Sequence, residues 1–301
     1  MENNRQVTLA EASDFTLVQV SDMHLSRQRP YFFHNWDVAV EWINANPPDL
    51  VVNTGDMALH GADSDDDLRF VRGEHARLAA PVLAVPGNHD VGNNPPDRRG
   101  EPEVTEQRMA RYAAVFGADR WTHDIGDWRL IGLNSLLMGS GLAAEHEQFE
   151  WLRAALASAG GRRIGIFKHK PLFLRDAQDA SMHQGSVFPA PRAPLLALLR
   201  QHRVALVANG HGHEFLVRRH GEMRCVWAPA IGFVTRDQGP SRGGGIRRVG
   251  LLQYRFKGGD FAVRRIELPA MLQIDISGWV QGGLGLYIHH ATAPFRRPAE
   301  A

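Results

Sequence analysis

Two histidines, His211 and His213, stand two residues apart in "ANGHGHEF" (208–215), each preceded by glycine, directly after the apolar run "RVALVA". Four other polar groups occupy the same kind of place. Asp22 and His24 follow "FTLVQVS", and Asp56 follows "DLVVNTG". Asn88, His89 and Asp90 follow "PVLAVPG", and His169 follows "RIGIFK". A buried strand that stops in carboxylate, amide or imidazole delivers that group to one end of a sheet, where open α/β sheets collect their ligands. Mixed carboxylate and imidazole donors suit Zn, Fe or Mn better than Ca or Mg. Asp22, His24, Asp56, Asn88, His169, His211 and His213 are too many donors for one ion. They suit two divalent or trivalent ions (Mn, Fe or Zn) sharing a bridging carboxylate.

Spacing supports the grouping. In an extended segment residues i and i+2 point the same way, so Asp22 can act with His24, and His211 with His213. The interleaved glycines let the backbone approach closely and turn. Singly these motifs are weak: asparagine after glycine is by default a turn residue, and a lone histidine after a strand is more often structural. The ordered set carries the argument.

The surrounding pattern supplies the elements that must hold these groups. Strands are predicted at 15–21, 49–56, 81–90, 121–126, 128–135, 162–169 and 204–210. Helices are predicted at 33–46, 65–79, 105–117, 143–160 and 192–202. From there the chain turns mostly β, in "HEFLVRR", "MRCVWAP", "RVGLLQYRF" and "FAVRRIEL". The early alternation implies parallel pairing and the late strands antiparallel pairing. Long loops fall at 91–103, 175–191 and 236–247.

Bulk properties narrow the classes. The 301 residues carry 34 Lys+Arg against 33 Asp+Glu. That balance gives no basis for nucleic-acid or membrane-surface binding. The arginines of "RRH" (218–220) and "GGGIRR" (243–248) read as solvated surface. Cys225 is the single cysteine, which rules out an intrachain disulfide. The amino terminus has no apolar signal core, and no apolar run reaches the ~18 residues of a membrane span. A cytoplasmic protein is expected.

Taken in order, D-x-H, G-D, G-N-H-D, H and G-H-G-H make a sequence that resembles the calcineurin-like metallophosphoesterases over residues 15–235. Within them it resembles the class III cyclic-nucleotide phosphodiesterase and glycerophosphodiesterase branch. The resemblance implies an α/β fold, an αββα sandwich of two facing mixed β-sheets flanked by helices. Residues 1–267 would form the catalytic domain. The segment 268–301 matches no motif and is expected as an extension that could cover the pocket mouth or form a dimer edge. The resemblance gives Asp22, His24, Asp56 and His213 to one metal, and Asp56, Asn88, His169 and His211 to the other. His89 would meet the phosphate rather than a metal.

Two cations about 3.5–4 Å apart can share a water, lower its pKa toward about 7 and neutralise phosphate oxygens. The expected reaction is hydrolysis of a small-molecule phosphodiester, of cyclic-nucleotide or glycerophosphodiester type, by attack of the resulting hydroxide. His89 would donate to the phosphate or protonate the leaving alkoxide. Asp90 would orient His89 or cap the following turn. His183, in the long loop after His169, is a candidate substrate contact. Specificity is expected from the loops at 25–33, 91–103 and 171–191. The alternative is a phosphomonoesterase or a phospholipid-headgroup hydrolase on the same core. A binding module without catalysis should have lost ligands, and a single-metal C–N hydrolase would not need Gly-Asn-His-Asp. Nucleic acid is disfavoured as a partner because no basic stripe is visible. A homo-oligomer is left open.

Overall fold

The computed structural model describes residues 14–97, 100–235 and 244–278. Its first sheet contains β1 (Phe15–Val20), β2 (Leu50–Asn53), β3 (Val82–Ala84), β10 (Leu251–Lys257) and β11 (Asp260–Ile266), in the order β11-β10-β1-β2-β3. The second contains β4 (Trp121–Ile125), β5 (Trp128–Leu133), β6 (Arg163–Lys168), β7 (Leu206–Asn209), β8 (Leu216–His220) and β9 (Met223–Trp227), in the order β4-β5-β6-β7-β9-β8. β1, β2 and β3 pair in parallel, as do β5, β6, β7 and β9. The edges are antiparallel.

Apolar patterning explains the layers. Leu17, Leu50 and Val52 of the first sheet meet Leu130, Phe167, Leu206 and Val226 of the second in a buried seam. Helices α1 (Phe33–Ala45), α2 (Asp65–His75) and α4 (Glu106–Phe116) close a second core outside the first sheet. A third lies between the other sheet and α5 (Ala143–Ala157) with α6 (Pro189–Gln201). The result is an αββα sandwich of mixed sheets. α1 buries Trp36, Ala39, Val40 and Ile43, one face at helical spacing, and stops ahead of Pro47-Pro48. α2 starts where Ser64 accepts from the Asp67 N–H, with Asp65, Asp66 and Asp67 in the turn the helix dipole favours.

Two sequence expectations change, and one feature of the topology has no counterpart in the sequence pattern. The strand predicted at 81–90 ends at Ala84, and Asn88–Val91 forms a single helical turn, α3. The late strands are not all antiparallel, because β9 lies parallel to β7. β10 leaves the second sheet and returns beside β1. One-dimensional periodicity does not say which of two sheets a strand joins.

The stretch 268–278 packs against α1 and the first sheet's loops. Asn35 Nδ2 donates to Leu272 O at 2.9 Å, its Oδ1 accepts from Leu272 N at 2.8 Å, and Val234 bridges Asp275. The rest of the expected extension, 279–301, lies outside the described residues. Among the described residues no helix is long and apolar enough to cross a membrane.

Candidate metal centre

All the strand-end groups come to one place, at the seam between the sheets, but not by the geometry that i, i+2 spacing implies. Asp22 (φ 53°), His24 (φ 51°), Asp56 (φ 50°), His211 (φ 64°) and His213 (φ 50°) all have left-handed backbone, not extended. Among the described residues only Arg203 is a further non-glycine residue of this kind. The conformation costs about 1–2 kcal/mol per residue, least for Asp and Asn. Such strain persists where the surroundings over-determine it, typically at functional sites. Backbone hydrogen bonds do so here: Asp22 N donates to Gly55 O (2.9 Å), His24 N to Asp56 O (3.0 Å) and Gly210 N to His169 O (3.0 Å). The glycine in front of His211 serves close approach instead: a Cβ on Gly210 would sit 1.9 Å from Ser21 Oγ.

The donor atoms form two groups. His213 Nε2 lies 3.2 Å from Asp22 Oδ1 and 3.4 Å from His24 Nε2. His169 Nε2 lies 3.3 Å from Asp56 Oδ2, 3.1 Å from Asn88 Oδ1 and 3.1 Å from His211 Nδ1. Asp56 Oδ2 is also 3.8 Å from His24 Nε2, so this one carboxylate faces both groups. With metal–ligand bonds of about 2.1 Å, the edge of an octahedron is about 3.0 Å and that of a tetrahedron about 3.4 Å. The separations of 3.1–3.4 Å match those edges, and that of Asp56 to His24, 3.8 Å, is longer.

The proton inventory points the same way. His169 Nδ1 meets Thr54 O (2.8 Å), His213 Nδ1 meets Phe233 O (2.8 Å) and His211 Nε2 meets Gln184 O (2.9 Å). A carbonyl can only accept, so in each neutral ring the proton is on that nitrogen and the other nitrogen is a lone pair. Those lone pairs face carboxylate, amide oxygen and each other. Such a cluster of acceptors needs cations among them, and the residues fit two metal ions sharing Asp56. His24 lacks this outer support, since its Nδ1 is buried without a hydrogen-bond partner.

Electrostatics record the same demand as protons. Burial alone depresses His169, but the charge and hydrogen bond of Asp56 outweigh it and lift the imidazole to about 9. His213 is raised likewise, against its burial, by Asp22. His24 is held well below its ordinary value by burial and then by His89. Burial pushes Asp56 up, but the charges of His169 and His89 bring it well below the usual carboxylate range. Metal binding would displace the protons on His169 and His213.

His89 stands beside both groups. Its N–H donates to Asp56 Oδ1 (2.8 Å), its Nδ1 to Leu59 O (2.8 Å), and its ring meets His24 edge-on at 4.6 Å. With Nδ1 committed to a carbonyl, Nε2 can donate only in the imidazolium form. His89 also falls within a cluster with His24 and Asp56 that could hold an ion. Asp90 accepts from Met57 N (3.1 Å), Ala58 N (2.9 Å) and Gly87 N (2.8 Å). Its carboxylate thus caps the turn of α3 at Gly87 and ties it to the Asp56 loop. Burial, then Asp56, pushes it up to about 6.

The donors open onto a pocket of about 150 Å³ whose further wall includes Glu101, Glu214, Trp227, Phe233, Arg247 and Ile276. The 91–103 loop reaches it through Glu101, and the 171–191 loop through Leu174 and Gly185. His183 is not part of this wall; its Nε2 lies 3.7 Å from Asp179 Oδ2 within its own loop. From 25–33, Phe32 is buried and packs at a tilt against the wall residue Phe233, with ring centroids 4.8 Å apart. Arg247, expected from sequence at the solvated surface, lines the pocket and donates to Thr235 O at 3.0 Å. The carbonyls of Thr54, Phe233, Gln184 and Leu59 had no sequence signal, because a main-chain oxygen is present at every position.

Comparison with known proteins agrees with this arrangement. The family described as calcineurin-like phosphoesterase matches residues 15–215. The 3',5'-cyclic adenosine monophosphate phosphodiesterase CpdA of Pseudomonas aeruginosa is 30% identical over 235 residues, covering 74% of this chain and 78% of that protein. The serine/threonine-protein phosphatase CPPED1 of Homo sapiens is 27% identical over 208 residues, covering 64% and 63%. The crystal structure of a dimetal phosphatase from Danio rerio superposes with a TM-score of 0.57 at 15% identity, covering 83% of this chain and 95% of that one. At that identity the likeness speaks to fold alone.

Proposed function

This chain belongs to the calcineurin-like phosphoesterases, and from that premise we propose that it is a dinuclear-metal phosphodiesterase acting on a small phosphodiester of cyclic-nucleotide or glycerophosphodiester type. That it is a metal-dependent phosphoric ester hydrolase follows from the family and the two donor groups together. The observation that carries the proposal is Asp56 Oδ2, which faces His24 at 3.8 Å and His169 at 3.3 Å. Asp22, His24, Asp56 and His213 would hold one ion, and Asp56, Asn88, His169 and His211 the other. Mn, Fe or Zn suits the donor set. When bound, two such ions activate a water and neutralise the phosphate.

The protein's own groups do the rest. Thr54, Phe233 and Gln184 carbonyls fix three imidazole tautomers. His89, held through Nδ1 by Leu59 O, would donate from Nε2 to the phosphate or the leaving oxygen when both ring nitrogens carry protons. Glu101 and Glu214 in the wall disfavour a second negative charge on the substrate. A monoester carries nearly two charges at neutral pH, its second pKa being about 6, and a diester carries one. Trp227, Phe233 and Ile276 offer apolar contact to the second ester group. The runner-up is a phosphomonoesterase or phospholipid-headgroup hydrolase, supported by Arg247 in the wall and the likeness to a protein phosphatase. A reducing, cytoplasmic setting is part of the proposal, supported by the single free, buried Cys225.

The test compares bis(p-nitrophenyl) phosphate with p-nitrophenyl phosphate, then cyclic AMP with glycerophosphodiesters, on Mn²⁺-loaded protein. A higher kcat/KM for the diesters is expected. A monoester preference would move the function to the runner-up.

A further inference from the structure

Behind His211 lies a buried cation that none of the chemistry above uses. Lys170 is fully buried, next in sequence to His169. Its Nζ donates to Gln184 Oε1 at 2.7 Å and to Asn93 Oδ1 at 2.6 Å. Its backbone N–H is fixed by Ser135 Oγ at 2.8 Å.

Each of those two amides leads to the pocket. The main-chain oxygen of Gln184 accepts from His211 Nε2, and its side-chain Nε2 donates to Asn94 O (2.7 Å) and Pro96 O (3.2 Å). Asn93 is buried, and its Nδ2 donates to Glu101 Oε2 (2.8 Å) and Asp97 Oδ2 (2.7 Å). Glu101 lines the pocket. One ammonium therefore fixes an amide from each of two long loops. One loop supplies the acceptor that sets the ring and tautomer of His211, and the other supplies an acidic wall residue.

We infer that Lys170 is a positioning residue: through Gln184 it holds His211 in register for one of the two metal ions, and through Asn93 it holds Glu101 at the pocket wall. The inference rests on the dinuclear reading. Its consequence is selective. His24 and His213 make no hydrogen bond to Lys170, Gln184 or Asn93, and Asp22 meets His211 at its main-chain N–H, not at its ring, so their ion should be unaffected.

The test is calorimetric titration of chelator-treated, full-length protein with Mn²⁺, together with the thermal midpoint of each metal-free variant. Lys170→Met keeps the stem and removes the ammonium. Gln184→Met, at a half-buried position, keeps the main-chain carbonyl and removes the side-chain bonds, and it decides the matter if Lys170→Met does not fold. His211→Ala and Asp22→Ala mark the signatures of losing either ion. Both methionine variants should show one unchanged affinity and one weakened about 10–100-fold, following the His211→Ala pattern. Two wild-type affinities, or equal weakening of both ions, would overturn the inference. Fewer than two Mn²⁺ in the wild type would instead remove the dinuclear reading, and this inference with it.

Discussion

The two sheets contribute different chemistry to one site. Loops after β1, β2 and β3 bring both candidate carboxylate ligands and the amide, Asp22, Asp56 and Asn88, along with His24 and His89. Loops after β6 and β7 bring only imidazoles, His169, His211 and His213. Direct hydrogen bonds tie the anionic half to the imidazole half, such as His211 N to Asp22 Oδ2 at 3.0 Å and His169 Nδ1 to Thr54 O at 2.8 Å. A pair of ions there would bridge the seam and attract phosphate, because two carboxylates leave two divalent ions with net positive charge. The lesson is that negative charge is rationed to two carboxylates, of which one, Asp56, faces both donor groups.

The largest expected effect breaks that bridge. Asp56→Ala should reduce hydrolysis to background and lower bound metal at both positions, measured by elemental analysis of the dialysed protein. Full activity in this variant would remove the bridging role. Next, on the same sheet, His89→Ala should keep both ions and lose about 10²–10⁴-fold in turnover. Loss of metal instead would make His89 a ligand.

A smaller effect tests the seam itself. An ion that binds only the folded state adds about 2.7 kcal/mol at a hundred times its Kd. For a chain of this size, chelation should therefore lower the thermal midpoint by roughly 5–10 °C. A midpoint indifferent to chelator would mean that the ions do not tie the sheets.

An effect confined to acid pH comes from a histidine behind the first sheet that takes no part in metal chemistry. His75 Nε2 pairs with Asn53 Nδ2 at 3.0 Å, and burial, then Arg72, depresses the imidazole to about 4. Below its unfolded value of about 6.5 the unfolded chain takes up a proton that the native chain refuses. Stability should be intact above pH 6.5 and fall by up to about 3 kcal/mol as pH drops toward 4. Denaturant midpoints of wild type and His75→Gln across that range measure it, and parallel slopes would acquit His75.

Much of the donor set was legible because strand-end Asp, Asn and His are rare enough in that order to stand out. Their backbone was not. The i, i+2 spacing pairs Asp22 with His24 through extended geometry, whereas both take positive φ. It also groups His211 with His213, yet the first faces His169 and the second Asp22. The wall was harder still. Arg247 sits in a glycine-rich stretch that looks like any exposed loop, and Glu101 reads as one acid among several. What selects them is the path of a loop in space, and no periodicity encodes it. The return of β10 to the first sheet is illegible for the same reason.

The most direct test of the shared-carboxylate centre is an anomalous difference map from crystals of the Mn²⁺-loaded protein. Two peaks about 3.5–4 Å apart, both in contact with Asp56, are the predicted result. A single peak, or two peaks of which only one touches Asp56, would contradict it.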